Sequence, residues 1–262
     1  MRPGLNILLC LLVLPGLTSA QNHSYAPKEI AKEIFRLTNL ERTARGLRPL
    51  EYHAQLEALA ELQSRNMLEY SFFSHTDHKG RSVHERKDEY FPKLFGGMGE
   101  NIAYIQGIPA SKLARKFVKI WMNSAGHRKN ILHRDFSHFG VGVARKAGEY
   151  SATQVFGALV AEMVSDVDDS YRFGSEHGFK FRFLGKFPRQ KITIFVHFPD
   201  KTARFFTKKN LYYTGVGHYK PIWLDHNTFR IKVKFDKGRG RYNLTMGSYG
   251  SYVPGGLDLV VK

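Results

Sequence analysis

The spacing of the apolar residues changes once along this chain, and the change divides the chain into two parts. Up to about residue 165, some stretches have apolar residues at helical spacing, and β-branched or aromatic runs lie between those stretches. After residue 170, apolar and polar residues alternate with a period of two, and no stretch has the pattern of a long helix. The sequence therefore predicts an α+β part followed by an all-β part.

The first part is predicted to alternate helices with strands. Helices are expected at about residues 27–45, 54–70 and 109–122, and a further short helix begins near His127. Pro27 suits a first helical position. The predicted strands are NIAYI (101–105), FGVGVAR (139–145) and TQVFGALVAEMV (153–164).

The second part is predicted to be an antiparallel β-sandwich. Its alternating runs, separated by Gly and Pro turns, are KFRFLG, KITIFVHF, TFRIKVKF, RYNLTM and LDLVVK. The polar acidic stretch SDVDDS (165–170) lies between the two patterns and is the predicted linker. We therefore expect one domain at residues 21–165 and a second, an Ig-like or similar β-sandwich, at residues 166–262.

The first twenty residues have the layout of a secretory signal peptide. Arg2 precedes an apolar run from Leu5 to Leu17, and small residues precede Gln21. About a dozen apolar residues is short for crossing a bilayer. We expect cleavage near Ala20 and a location that is secreted or in the cell envelope.

Cysteine usage favours a bacterial source. The one cysteine, Cys10, lies within the predicted signal peptide, so the mature chain would contain no disulfide. Small eukaryotic secreted domains usually rely on disulfides. A bacterial envelope or extracellular protein is therefore the expectation.

The chain is strongly basic, with a formal charge of +17. Residues 166–262 contain 18 Lys/Arg against 8 Asp/Glu, a net charge of +10, so the excess is concentrated in the β-rich part. For an exported basic protein, the anionic partners within reach are lipid headgroups, envelope wall polymers or extracellular DNA. No compact run of five or more basic residues indicates a sequence-specific nucleic-acid site. Solubility alone is the other explanation of the charge.

Three residues are candidates for chemistry. His75 follows the second predicted helix in FFSHTDHKGRS, Glu100 lies at the entrance to a strand in GGMGENIAYI, and His127 follows the third long helix. Their spacing matches no local metal motif such as HExxH. From the residues alone, each histidine is a site residue or a partly buried histidine bonded to backbone. Glu100 is a site carboxylate or an acceptor of N–H groups from its own glycine-rich loop.

Six segments, taken together and in order, resemble the CAP superfamily, also called SCP/TAPS. This superfamily includes cysteine-rich secretory proteins, antigen 5 and pathogenesis-related proteins, and the resemblance is strongest to its disulfide-free bacterial branch. The segments are NLERTARGLRPLEYHAQLEALAELQSRNM (39–67), FFSHTDHKGRSVHER (72–86), GENIAY (99–104), WMNSAGHRKNIL (121–132), FSHFGVGVAR (136–145) and TQVFG (153–157). The resemblance covers about residues 27–164 and leaves the β-rich part uncovered.

The resemblance implies an α-β-α sandwich with a central cleft. It implies that His75, Glu100 and His127 converge there and can hold a divalent metal such as Zn²⁺. The chain departs from the vertebrate-type pattern at WMNS, where Ser124 stands nearest the position of a second glutamate. Two imidazoles, one carboxylate and water remain a reasonable zinc environment. A metal-free polar network is the alternative.

The resemblance favours a binding module over an enzyme. Family members bind lipids, sterols or other proteins outside cells, and the basic β-rich part is expected to dock on an anionic envelope or lipid surface. The alternative is an extracellular hydrolase, dependent on a metal or on a serine and a histidine. In the serine-dependent form, His75 or His127 would be the general base, Ser74 or Ser124 the nucleophile and Glu100 the orienting group. In the metal-dependent form, a metal-bound water would be the nucleophile. No nucleophile-elbow motif surrounds either serine.

Overall fold

The computed structural model describes residues 26–208, 211–253 and 255–262. The predicted signal peptide at residues 1–20 lies outside these ranges. Within them, no helix is both long enough and apolar enough to cross a membrane. The first described element begins at Pro27.

The α-helices of the described part all lie before residue 132, and a short 3-10 helix lies at Arg189–Lys191. The α-helices are α1 (Pro27–Thr43), α2 (Ala54–Glu69), α3 (Val83–Tyr90), α4 (Ala110–Asn123) and α5 (Ala125–Ile131). Four of them lie where the sequence predicts helices. The exception is α3, which the sequence analysis misses because its eight residues have no clear apolar stripe. A capping box begins it, since Ser82 N–H donates to the Glu85 carboxylate at 2.7 Å and Glu85 N–H donates to Ser82 Oγ at 3.4 Å.

A sheet lies between the helices, as the α-β-α prediction requires. Its strands are β1 (Glu51–Tyr52), β2 (Leu94–Gln106), β3 (His138–Lys146) and β4 (Glu149–Met163). β2 and β3 pair antiparallel with opposite edges of β4, and the short β1 pairs parallel with β3. α1, α4 and α5 share one apolar core with the sheet, and α2 and α3 contribute to another. The α-β-α sandwich is confirmed.

β2 begins earlier than the sequence indicates. The prediction starts the strand at Asn101, whereas the strand includes the preceding glycines and begins at Leu94. An irregularity at Phe95/Gly96 interrupts the pairing with β4. At Gly96, φ is +150°, and a Cβ would lie 2.5 Å from the Ala158 carbonyl oxygen. The glycines therefore permit close strand pairing, and Glu100 lies inside a strand.

The part after residue 170 is all-β, as predicted. Its strands are β5 (Glu176–Phe183), β6 (Ile192–His197), β7 (Arg204–Lys208), β8 (Leu211–Thr214), β9 (Val216–Tyr219), β10 (Ile222–Trp223), β11 (Thr228–Lys234), β12 (Gly240–Ser248) and β13 (Leu257–Val261). Strands β13, β12, β6 and β9 form one antiparallel sheet in that order, and β7 pairs with β8. Alternate residues of β5, β11, β6, β12 and β13 meet in one apolar core. Two sheets thus enclose this core.

The central sheet continues from the first part into the second. The end of β4 pairs antiparallel with β5, with Ala161 opposite Phe183 and Met163 opposite Phe181. β5 then pairs with β11, and β11 with β10. The core of the β-rich part includes Phe95 of β2 and Val160 of β4. The domain boundary at residue 165 stays a prediction. The parts on either side of residue 165 are joined by sheet hydrogen bonds and by a shared apolar core.

Two glycines of β3 allow α2 to lie directly on the strand. A Cβ at Gly140 would lie 2.0 Å from the backbone nitrogen of Glu57, and one at Gly142 would lie 2.1 Å from that of Glu61. Backbone atoms of a helix cannot move aside as a flexible side chain can. The gap between α2 and the sheet therefore requires glycine at both positions.

We expect Gly140→Ala to lower the free energy of unfolding by about 3 kcal/mol or more, because the added methyl group overlaps the α2 backbone. Urea denaturation measures the loss. Gly178→Ala is the matched control, since a Cβ there would meet only the Ile231 carbonyl oxygen at 4.0 Å. That control should change stability by no more than about 0.5 kcal/mol. Equal stability of the two variants would contradict the close helix–strand contact.

Candidate functional site

Three elements bring the predicted site residues to one place. His75 lies in the turn after α2, Glu100 in β2, and His127 in the first turn of α5. His75 Nδ1 lies 2.9 Å from Glu100 Oε1, and the His75 and His127 ring centroids lie 6.4 Å apart. Residues separated by 25 and 27 positions in the sequence thus form one cluster.

The His75–Glu100 hydrogen bond joins an exposed ring to a buried carboxylate. The side chain of His75 is 57% exposed and that of Glu100 is 3% exposed. Because a carboxylate accepts, the neutral His75 ring donates its Nδ1–H to Glu100 and keeps its lone pair on Nε2. Glu100 therefore orients His75 and determines which nitrogen is available to a ligand.

Arg86 is a site residue that neither the apolar spacing nor the resemblance predicts. Its fully buried guanidinium forms an ion pair with Glu100 Oε2, and its Nη1 donates to the carbonyls of His75 and Arg81 at 3.1 and 2.9 Å. Arg86 therefore holds both the carboxylate and the backbone of the turn that carries His75. The sequence does contain a signal for this helix. Ser82 and Glu85 form a capping box, which is typical of a helix start, and Arg86 follows Glu85 in the first turns of that helix. Glu100 is not held by N–H groups of its own loop.

Amide side chains fix α5 against β2. Asn101 Nδ2 donates to the His127 carbonyl at 3.1 Å, and Asn130 Nδ2 donates to the Glu100 carbonyl at 3.1 Å. Asn130 Nδ2 also lies 2.9 Å from Asn101 Oδ1. The position of His127 relative to Glu100 is thus set by backbone contacts on both elements.

His127 has an unsatisfied nitrogen. Its Nδ1 is buried and has no hydrogen-bond partner in the described part of the protein. Burial lowers the pKa of His127 below its ordinary value of 6.5, and a positive charge on His75, when that ring is protonated, lowers it further. His127 is therefore neutral at pH 7, with a polar atom that a ligand could satisfy.

The two candidate serines are not bonded to these histidines. Ser124 occupies the N-cap position of α5, and its side chain makes no capping hydrogen bond. Ser74 Oγ accepts the Thr76 N–H at 3.1 Å. Across the described residues, no hydrogen bond joins either hydroxyl to His75 or His127. The prediction of a Ser/His hydrolase stays a prediction.

The donors at the cleft are two imidazoles. Both oxygens of Glu100 accept hydrogen bonds, one from His75 and the other from Arg86, so a metal ion at Glu100 would compete with these two partners. Elsewhere in the described ranges, too, no group of three or more His, Cys, Asp or Glu side chains is arranged to hold a metal ion. With the Glu100 oxygens directed at His75 and Arg86, the three side chains do not form the three-ligand arrangement of a zinc site. Metal binding by His75, His127 and Glu100 stays a prediction.

An apolar pocket opens beside His127. Its volume is about 750 Å³, and Glu149 and Ser71 are the other polar residues in its wall. The apolar wall comes from the end of α2, the turn that follows, β2 and α4: Met67, Leu68, Phe72, Phe73, Ile102, Ala103, Tyr104 and Ile120. The pocket thus has mostly apolar walls, with the neutral imidazole of His127 in one of them.

Comparison with known proteins identifies the family of this part of the chain. Residues 35–156 match the family model described as "CAP: Cysteine-rich secretory protein family". Residues 35–156 are a CAP domain. The cleft residues His75, Glu100 and His127 all lie inside the matched range of the CAP domain.

Two proteins from Bacillus subtilis are similar in sequence to about half of this chain. The uncharacterized membrane protein YlbC is 37% identical over 137 residues, which is 52% of this chain and 37% of YlbC. The uncharacterized protein YkwD is 38% identical over 120 residues, which is 45% of this chain and 44% of YkwD. The chain therefore spans about two fifths of the length of these relatives.

A solved structure is also similar to about half of this chain. It is an extracellular protein containing a SCP domain from Bacillus anthracis, 30% identical, with a TM-score of 0.41. The similarity covers 50% of this chain and 41% of the other protein.

We expect Arg86→Met to lower the free energy of unfolding by about 3–5 kcal/mol, because it leaves the Glu100 carboxylate buried without its partner. Adding Glu100→Gln to this variant removes the buried charge and should restore part of the loss. Lys32→Met, which breaks the exposed pair with Glu29, is the control and should cost less than about 1 kcal/mol. Urea denaturation at pH 7 compares them. An Arg86→Met loss as small as the control would rule out a buried ion pair.

Proposed function

We propose that this chain is an exported binding module whose CAP-domain cleft takes an amphipathic ligand. The apolar part of the ligand would occupy the pocket beside α2 and β2, and its polar end would lie at His127 and His75. The observation that carries the proposal is the apolar pocket of about 750 Å³ with His127 in its wall.

The composition of the pocket supports an apolar ligand body. Eight of its eleven lining residues are apolar or aromatic, and Phe73 and Tyr104 are both exposed. Exposed aromatic side chains around a concave surface are typical of ligand sites, in which a few polar groups fix orientation. An acyl chain or a ring system would remove these side chains from water.

The histidine pair supports a polar end group. His127 Nδ1 lacks a partner, and the exposed His75 keeps a lone pair on Nε2. Neutral imidazoles accept hydrogen bonds from hydroxyl groups and, once protonated, pair with carboxylates. The site thus suits a ligand that ends in a hydroxyl or a carboxylate.

Export is supported by the sequence and by one relative. The apolar run from Leu5 to Leu17 follows the basic Arg2, as in secretory signal peptides. The similar SCP-domain protein of Bacillus anthracis is described as extracellular. An envelope or extracellular ligand is therefore the one this module would meet.

We expect dodecanoate to bind the full chain in calorimetry. Phe73→Ala should weaken binding about tenfold, because it removes part of the apolar wall. Affinity should rise as the pH is lowered from about 8 to about 5, since protonated His127 pairs with the carboxylate, and His127→Ala should reduce this rise. Dodecanol, which carries no charge, should show no such rise.

Phe173→Ala is the matched control for Phe73→Ala, since Phe173 is also exposed and lies outside the pocket. It should leave dodecanoate affinity unchanged. Dodecanoate binding that is equally strong in the Phe73, His127 and Phe173 variants would refute the proposed cleft function.

A second function, docking on an anionic surface, is favoured by the outward face of the β7–β8 hairpin. Phe206 lies opposite Tyr212 in the pairing, their ring centroids are 5.3 Å apart, and both are exposed. The Arg204 guanidinium lies 4.6 Å from the centre of the Tyr212 ring. An aromatic and basic face, on the part with a net charge of +10, suits insertion at the headgroups of anionic lipids.

We expect Phe206→Ser to weaken binding to phosphatidylglycerol-containing vesicles about tenfold, because one exposed aromatic ring is lost from the contact. Phe173→Ser is the control, since the Arg239 guanidinium lies 5.2 Å from the Phe173 ring outside the hairpin. Co-sedimentation measures both. Deletion of residues 166–262 would not isolate the hairpin, because it would unpair β4 and open a shared core. Similar losses in both variants would show that the hairpin is not the docking surface.

A further inference from the structure

A second pocket lies where the CAP domain meets the β-rich part. Its volume is about 540 Å³. One wall comes from the end of α1, the loops near residues 46–48 and 134–137, and β4. The other comes from residues 186–187, from the end of β12 and from the residues that follow it, up to Val253. It shares no lining residue with the cleft beside His127.

The charges around this pocket are mostly positive. Arg42, Arg48, Arg134 and Lys186 line it, and Asp135 is the one carboxylate that does. Lys186 forms an ion pair with Glu51 at 2.7 Å. Within the described ranges, none of the three arginines forms a salt bridge with a carboxylate. Three guanidinium groups thus surround one pocket with little compensating charge.

Arg42 is the most unusual of the three, because it is fully buried. Its Nη1 donates to the Ile131 carbonyl at 2.6 Å and to the His133 carbonyl at 2.9 Å, and its Nε donates to the Arg48 carbonyl at 3.0 Å. Its Nη2 is buried and has no partner in the described part of the chain. Arg42 therefore has a structural role and a donor left unsatisfied.

Electrostatics in the pocket favour an anion. Burial, and then the charge of Arg48, lower the pKa of Arg42 to about 10. A buried positive charge without a counter-charge is unfavourable, and an anion nearby would offset that cost. Guanidinium groups match phosphate oxygens with paired N–H donors.

The remaining wall suits a ring. Phe187, Tyr249 and Tyr252 line the side formed by the β-rich part, together with the hydroxyl-bearing Ser248 and Ser251. Tyr249 and Tyr252 are exposed, so their rings are open to a ligand. A planar organic group could stack there while its anionic end lies at the arginines.

We propose that this pocket binds a phosphate monoester whose organic part contains a ring. Arg48 and Arg134 hold the phosphate, Arg42 adds the field of a buried charge, and Tyr249 and Tyr252 pack against the ring. A volume of about 540 Å³ accommodates a ring and a phosphate group. Because both halves of the chain line the pocket, an intact chain is required for binding.

Phenyl phosphate, inorganic phosphate and phenol are the probes, titrated calorimetrically into the full chain at constant ionic strength. Phenyl phosphate should bind at least about tenfold more tightly than either inorganic phosphate or phenol, because only it uses both walls. Arg48→Gln/Arg134→Gln should weaken phenyl phosphate binding about tenfold or more, through the loss of charged hydrogen bonds.

The matched control is Arg65→Gln/Arg230→Gln, which removes the same charge from two exposed arginines outside the pocket. It should leave the affinity unchanged. Tyr252→Ala should weaken phenyl phosphate binding but not inorganic phosphate binding. An equal loss of phenyl phosphate affinity in the two double variants would indicate general charge attraction and overturn the proposal. Phenol that binds as tightly as phenyl phosphate would also overturn it.

Discussion

Strand β4 is hydrogen-bonded on both of its edges, and the rest of the structure depends on that pairing. β2 occupies one edge from Glu149 to Glu162, while β3 and then β5 occupy the other. Backbone groups of a buried strand must find partners within the protein, and here the partners come from both halves of the chain. The helical layers, the cleft and the β-rich part are all positioned with respect to this one strand.

The side chains of the cleft are positioned by the buried carboxylate of Glu100. Arg86 neutralises the Glu100 carboxylate below the surface, and Glu100 in turn orients the exposed His75 ring. The cleft therefore presents imidazole nitrogens, and its carboxylate positions a neighbour without facing the ligand. Carboxylates behind histidines commonly have this orienting role. Ser124 stands nearest the position at which the vertebrate-type pattern has a second glutamate. Glu100 is therefore the carboxylate of this cleft, and its two partners are His75 and Arg86.

Much of the fold can be predicted from the sequence, because the spacing of apolar residues shows which face of a helix or strand is buried. The helical spacing of α1, α2 and α4 and the alternation in β5, β11 and β12 each mark a face that enters a core. Two features escape this reasoning. α3 has no apolar stripe, and the pairing of β4 with β5 depends on contacts between halves that look independent in sequence. The same limit applies to the cleft: His75, Glu100 and His127 follow from resemblance, whereas Arg86 depends on a helix that periodicity does not reveal.

The acidic segment at residues 165–170 connects two strands that pair with each other. Val164 N–H donates to the Lys180 carbonyl at 2.9 Å, and Leu184 N–H donates to the Val160 carbonyl at 2.9 Å. A protease that cuts this segment therefore breaks the chain without separating the pieces. The two fragments would stay together as a nicked complex, held by sheet hydrogen bonds and a common core, and each would expose an unpaired strand edge only after unfolding.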